Sequence, residues 1–156
     1  MPECQRVQVG LQPSTTFVAS RQTERTFSVT TLLDTSHFVE GMKAGLTAYA
    51  APLNHYDVVV KRNSKLYVKS NIRLGELAHC YKEIELKGKS AYLRITSDKD
   101  YYYLEASSDG KKYEPLGRMD FRYLNTEVIG GFTGVMLGVF AQCPDNKGFA
   151  DFDWIE

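Results

Sequence analysis

The sequence has 156 residues, 43% hydrophobic, 12% aromatic and 24% charged, which suits one ordinary globular domain able to bury about 68–70% of its unfolded surface. Nineteen lysines and arginines balance nineteen aspartates and glutamates, so no net field recruits nucleic acid or an anionic membrane. No apolar run approaches the roughly 18 residues of a membrane span, and Glu3, Gln5, Arg6, Gln8 and Gln12 stand where a secretory leader is apolar.

Residues 1–16 are polar, with Pro2 and Pro13, and read as a linker or N-terminal extension ahead of a single domain over 17–156. From there, aromatic and β-branched residues come in short runs bounded by Gly, Asn, Asp and Pro, which predicts many short antiparallel strands. The run Thr26 to Asp34 places Phe27, Val29 and Thr31 on one face, and Ser64 to Ser70 alternates Leu66 and Val68 against Lys65, Tyr67 and Lys69. The basic residues Lys61, Arg62, Lys65, Lys69 and Arg73 read as a solvated face. Between Arg73 and Leu86 the spacing of Leu74, Leu77 and Tyr81 is helix-like, and with Gly75 it predicts a loop or a short turn of helix.

Cys4, Cys80 and Cys143 are odd in number and far apart, so free thiols are expected; they and the absent leader favour a cytoplasmic location. His79 beside Cys80 lacks the further short-spaced ligands of a zinc site, and Cys80 is expected as a small buried hydrophobe. From Tyr92 to Thr96 the alternation returns, with Leu93 and Ile95 on one face. The clearest hairpin runs from Tyr101 to Gly117, turning at Asp109-Gly110, where glycine supplies the positive φ of a tight turn. Pro115 cannot donate to a ladder, so the return strand is an edge strand or stops there. Of Tyr101, Tyr102 and Tyr103, at least one faces outward, as a surface for a sugar or as ordinary solvated tyrosine. Val135 to Cys143 is a long apolar strand in which Gly138 permits a bulge or a close neighbour, and Ala150 to Ile155 closes the chain with Phe152 and Trp154 on one face and Asp151 and Asp153 on the other. Nine to twelve strands without a repeat make an all-β, two-sheet antiparallel sandwich the economical architecture.

Phe17-Val18-Ala19-Ser20-Arg21-Gln22, Lys43-Ala44-Gly45-Leu46, Asn54-His55-Tyr56, Tyr92-Leu93-Arg94-Ile95, Ser107-Ser108-Asp109-Gly110, Gly131-Phe132-Thr133-Gly134 and Asp151-Phe152-Asp153-Trp154, in this order, resemble the C-terminal β-sandwich domain of family 43 glycoside hydrolases, the β-xylosidases and arabinofuranosidases. The resemblance implies a concanavalin A-like jelly roll that packs on a catalytic propeller, in the same or another chain, whose carboxylates cleave the sugar. It also implies that Phe132, with Thr133 and Gly134, sits on a rim loop bordering the pocket for a xylan- or arabinan-derived sugar. Independently of the family, an aromatic between glycines suits the C–H-rich face of a sugar, and the competing reading is a core phenylalanine.

The acidic tail invites comparison with a glycosidase pair, since retaining hydrolysis needs two carboxyl groups about 5–5.5 Å apart. Its position at the chain's end argues against that, and no catalytic residue is assigned. Asp153 and Asp151 are candidate ligands of a structural calcium; two carboxylates fall short of the six to eight or so oxygens calcium takes, and no other cofactor is expected. The expected function is an accessory, non-catalytic sandwich that shapes a sugar pocket and aids oligomerisation. The alternatives are a free-standing carbohydrate-binding module and a small jelly-roll glycosidase.

Overall fold

The computed structural model describes residues 14–124, 134–144, 148 and 150–155. Alternating burial runs through β2 (Phe27–Asp34), β7 (Ser90–Ser97) and β8 (Tyr101–Ser107), with Val29, Thr31 and Leu33, then Leu93 and Ile95, then Tyr102 and Leu104 turned to the core. These strands form a five-stranded antiparallel sheet with β9 (Glu114–Asp120) and β11 (Asp151–Ile155), in the order β11-β2-β7-β8-β9. The facing sheet has six strands, ordered β1-β10-β3-β4-β5-β6, from β1 (Ser14–Arg21), β3 (Lys43–Ala51), β4 (Asn54–Asn63), β5 (Lys65–Leu74), β6 (Leu77–Glu85) and β10 (Met136–Cys143). A single 3-10 turn, Phe121–Leu124, follows β9. The fold is the two-sheet antiparallel sandwich that the period of two predicts, in the jelly-roll form that the resemblance implies. Leu46, Val58, Leu93, Ile95, Leu104 and Leu116 are fully buried between the sheets, each contributing about 1.5–3 kcal/mol of transfer free energy. Polar ties also cross this core; in one of them the Ser70 hydroxyl donates to the Leu116 carbonyl at 2.7 Å.

The hairpin β8–β9 turns where Asp109-Gly110 predicts, with Gly110 at φ 74°. Pro115 lies on β9, an edge strand, beside a register shift between Leu104 and Glu105. The Asp109 carboxylate accepts from the Lys111 and Lys112 amides at 2.8 and 3.0 Å and from the Ser107 hydroxyl at 2.9 Å. Those bonds, the Lys112 amide first, hold its pKa down at about 2. A depressed carboxyl contributes stability that is present above the unfolded value and is lost as pH falls through the folded one. The Asp109 carboxyl resonance should therefore titrate with a midpoint near pH 2, the Gly110 amide moving with it; a midpoint near the ordinary 3.8 would mean that the turn does not hold its carboxylate.

Three local expectations are corrected. The stretch from Arg73 to Leu86 is neither loop nor helix: β5 and β6 form a hairpin in which Leu74 pairs with Leu77 around Gly75, at φ 64°. Leu74 and Leu77 are three apart because they face each other across this two-residue turn, and Tyr81 is the extra residue of a bulge between Cys80 and Lys82, so a turn and a bulge imitate helical spacing. Cys80 is an exposed free thiol rather than a buried one, because β6 is the outer edge strand and pairs only with β5, whereas Cys143 is buried. In β11 strict alternation breaks, since Phe152 pairs with Leu33 and Ile155 with Thr31, one residue too many on the β11 side.

Candidate functional site

The chain leaves β9 at Asp120, makes its 3-10 turn and returns at Gly134. Phe132 and Thr133, two of the expected rim residues, lie outside the described residues. Gly134 follows the undescribed stretch with φ 67°, and among the described residues nothing lies within 4 Å of where its Cβ would be. Its left-handed backbone, not crowding, is what calls for glycine there.

The foot of this loop is an aromatic stack. Tyr102 is fully buried because the alternation of β8 turns it inward. Its ring lies parallel to Phe121, with centroids 5.1 Å apart and an interplanar angle of 1°. Phe27 at 5.9 Å and Tyr56 at 5.7 Å pack on its other sides, and the Arg25 guanidinium sits 5.1 Å over the Phe121 ring. Hydrogen bonds tie the stack to both ends of the loop. The Tyr56 hydroxyl donates to the Asp120 carbonyl at 2.7 Å, where the chain departs. The Tyr102 hydroxyl donates to Gln22 Oε1 at 2.8 Å, and the Gln22 amide donates to the Val135 carbonyl at 2.8 Å, where the chain returns. Burial pushes both tyrosine hydroxyls well above their usual range, so the stack stays neutral.

Above it lies a depression of about 260 Å³ lined by Gln22 to Arg25, Phe121, Leu124 and Val135. Glu24 is the one carboxylate among these described lining residues, whereas retaining glycoside hydrolysis uses a pair. The arrangement fixes the backbone at Asp120 and at Val135, on either side of residues 125–133. Sequence reasoning missed Phe121, Tyr102 and Arg25 as a unit, because they come from three separate segments that only the sandwich brings together.

The other candidate residues fall elsewhere on the sandwich. Asp151 is half-buried and pairs across the sheet with Asp34, while Asp153 is exposed. Among the described residues no three His, Cys, Asp or Glu side chains converge as a metal site. Asp34 already accepts from the Ser36 hydroxyl at 2.6 Å and its amide at 2.8 Å. Of the neighbouring tyrosines, Tyr101 carries the Arg118 guanidinium 4.1 Å over its ring, and the Tyr103 hydroxyl donates to Asp98 at 2.6 Å. Both outward rings are thus engaged within the chain.

The family model for the β-xylosidase C-terminal concanavalin A-like domain matches residues 4–156. A non-reducing end α-L-arabinofuranosidase of Bacteroides ovatus is 29% identical over 148 residues, covering 92% of this chain and 28% of that enzyme. Among solved structures, a family 43 protein of the Bacteroides ovatus xyloglucan utilisation locus superposes with a TM-score of 0.74 at 30% identity, over 90% of this chain and 28% of that one. A xylan β-1,4-xylosidase from Bacillus halodurans superposes with a TM-score of 0.82 at 24% identity, over 92% of this chain and 29% of that one, a likeness of fold. The chain thus spans under a third of the length of these relatives. With the sandwich and the match over nearly its whole length in agreement, the chain belongs to the family of β-xylosidase C-terminal concanavalin A-like domains of family 43 glycoside hydrolases.

Proposed function

We propose that this chain is the accessory sandwich of a family 43 glycoside hydrolase, that it packs on a catalytic propeller, and that its loop between Leu124 and Gly134 borders that domain's pocket for a xylan- or arabinan-derived sugar. The observation that carries this reading is the stack of Arg25, Phe121 and Tyr102, with Tyr56 packed on it and bonded to the Asp120 carbonyl, and with Gln22 linking the Tyr102 hydroxyl to the Val135 carbonyl. A stack tied in this way fixes the exit and re-entry of the chain, as a group bordering a reactive sugar requires. The names of the relatives, a xylosidase and an arabinofuranosidase, support pentose glycosides as substrate class.

Two measurements test it. The 156-residue chain alone should not turn over nitrophenyl xyloside, arabinofuranoside or glucoside; turnover abolished by Asp153→Asn would replace this reading with an active jelly-roll glycosidase. In a protein joining the chain to its catalytic domain, Phe132→Ala should lower kcat/KM at least tenfold while the sandwich loses no more than about 0.5 kcal/mol, the usual effect of a surface change. A stability loss above about 3 kcal/mol would make Phe132 a core residue instead.

A further inference from the structure

The two ends of the sandwich differ in what their turns present. At one end lie the turn from β3 to β4 at Pro52 and Leu53, the turn from β5 to β6 at Gly75 and Glu76, the β1 to β2 connection and the 3-10 turn. The register joins them: Arg21 pairs with Met136, Met136 with Tyr49, Tyr49 with His55 and His55 with Arg73, one row that runs just inside this end. The Gly75 amide donates to the Leu53 carbonyl at 2.6 Å, so the two turns lie side by side. The Tyr56 hydroxyl, bonded to the Asp120 carbonyl, brings the 3-10 turn to β4 beside them.

Turn residues are ordinarily small or polar. The far end obeys this: its turns carry exposed Ser36, Ser64, Lys65, Lys87, Lys89 and Lys111, and among the described residues no large apolar side chain is exposed there. The near end does not. Leu53, Leu77 and Tyr123 are 47%, 60% and 46% exposed, three of the six large apolar side chains exposed among the described residues. A fourth, Tyr81, follows along β6 with its ring edge-to-face on His79, centroids 6.5 Å apart. The run of β9 explains why Leu77 is bare. β9 meets β6 at Tyr81, which packs on Gly117, and at Lys82, which reaches the Glu114 carboxylate at 3.1 Å and the Pro115 carbonyl at 3.4 Å. It then crosses over β5 and β4, where Ser70 and Tyr56 bond to Leu116 and Asp120. Among the described residues, the part of β6 nearest its turn therefore has no strand opposite it.

We propose that this apolar end is the surface on which the sandwich seats its catalytic domain, with Leu53, Leu77 and Tyr123 at the centre of the contact and an apolar protein face against them. Exposed apolar side chains gathered on one surface mark a contact, and tyrosine is a frequent anchor in one. Two observations select this occupant over a second copy of the chain. Residues 125–133 leave from and return to this same end, directly after Tyr123 and Leu124, so a domain whose pocket they border lies against it. The chain also covers only 28% of the arabinofuranosidase it matches, and the matching family is a C-terminal domain, so in that relative most of the polypeptide lies outside the sandwich and can cover this end. The proposal rests on the reading of the chain as an accessory sandwich and assigns the surface that does the packing.

Hydroxyl-radical footprinting tests it on the 156-residue chain and on the protein that joins the chain to its catalytic domain. Oxidation of Leu53, Leu77 and Tyr123 should slow at least fivefold on joining, while Tyr113, beside the polar end, keeps its rate. Leu53→Asp with Leu77→Asp should leave the melting temperature of the chain alone unchanged, because both side chains are exposed. In the joined protein the same pair should split one cooperative melting transition into two. If the double variant of the chain alone melts early, Tyr123→Lys takes its place with the same expectations. Unchanged oxidation at the three residues on joining, or a single transition that survives the substitutions, would overturn the proposal. So would a dimer of the chain alone that Leu53→Asp abolishes and that persists in the joined protein, which would give the surface to a second copy. The rim reading fails separately: a tenfold loss of kcat/KM in Phe132→Ala with Leu53 and Leu77 unprotected sinks only the docking surface, and protection without that loss sinks only the rim.

Discussion

Tyr102→Ala is expected to destabilise the sandwich by roughly 3–5 kcal/mol, the cost of truncating a large buried aromatic. The side chain is fully buried, and it touches Phe121, Phe27 and Tyr56 within centroid distances of 5.1 to 5.9 Å. Aromatic pairs of this kind are each worth about 0.5–1.5 kcal/mol beyond their burial, so the lost contacts lift the cost toward the upper part of the range. The hydroxyl is a smaller matter. Tyr102→Phe removes only its bond to Gln22, whose side chain is half-buried and within reach of water, and should cost about 1 kcal/mol. Denaturant melts of the two variants separate ring from hydroxyl. Amide exchange at Phe121 and at Gln22 should rise in the alanine variant beyond the global change, because Phe121 loses the ring stacked on it and the Gln22 side chain loses its hydroxyl partner. A cost below about 1 kcal/mol for Tyr102→Ala would show that the stack is not a support at all.

Gly45→Ala is the second large effect, and its sign is opposite to what propensity suggests. Glycine in a strand interior ordinarily costs stability, so alanine should gain roughly 0.5–1 kcal/mol. Here the added Cβ would fall on the Val58 carbonyl oxygen and lie 2.7 Å from Val59 Cα, both backbone atoms of the adjoining strand. β3 and β4 are interior strands of the six-stranded sheet and have no free side to move toward. Overpacking against backbone costs about 1–3 kcal/mol or more, which outweighs the propensity gain. We expect a net loss of about 2–3 kcal/mol in urea, with the denaturant slope unchanged. At Gly138 the added Cβ would meet Val18 and Ala19, which belong to the edge strand β1. An edge strand can shift outward, so Gly138→Ala should cost less; an equal loss at both sites would mean that strand position does not govern the effect.

Much of the fold is legible in the sequence because its signals are local. Val29, Thr31 and Leu33 on β2, or Leu93 and Ile95 on β7, declare their faces by a period of two that holds wherever one side of a sheet is buried. Asp109-Gly110 and Pro115 declare a turn and an edge through backbone chemistry of their own residues. The run from Arg73 to Leu86 misleads for a reason equally physical: two residues facing each other across a tight turn and one bulged residue reproduce the spacing of a helix, and only the partner strand tells them apart.

Of the candidate site, residue types are visible in the sequence and their assembly is not. Gly134 marks the end of a loop by its backbone conformation alone. That Arg25, Phe121 and Tyr102 stack beneath it depends on β8 facing the β1 to β2 connection across the sandwich, a contact 80 residues apart in its hydrogen bond from Tyr102 to Gln22. The group of buried Thr47 and Asp57 with half-buried His55 depends likewise on the antiparallel register of β3 and β4. By itself, then, the sequence determined which residues extend, which face each strand buries and where the chain turns. Strand order, the edge position that exposes Cys80 and the gathering of side chains into sites were decided by the tertiary structure, because burial on a sheet depends on which strands flank it and what the other sheet covers, and no local pattern encodes that.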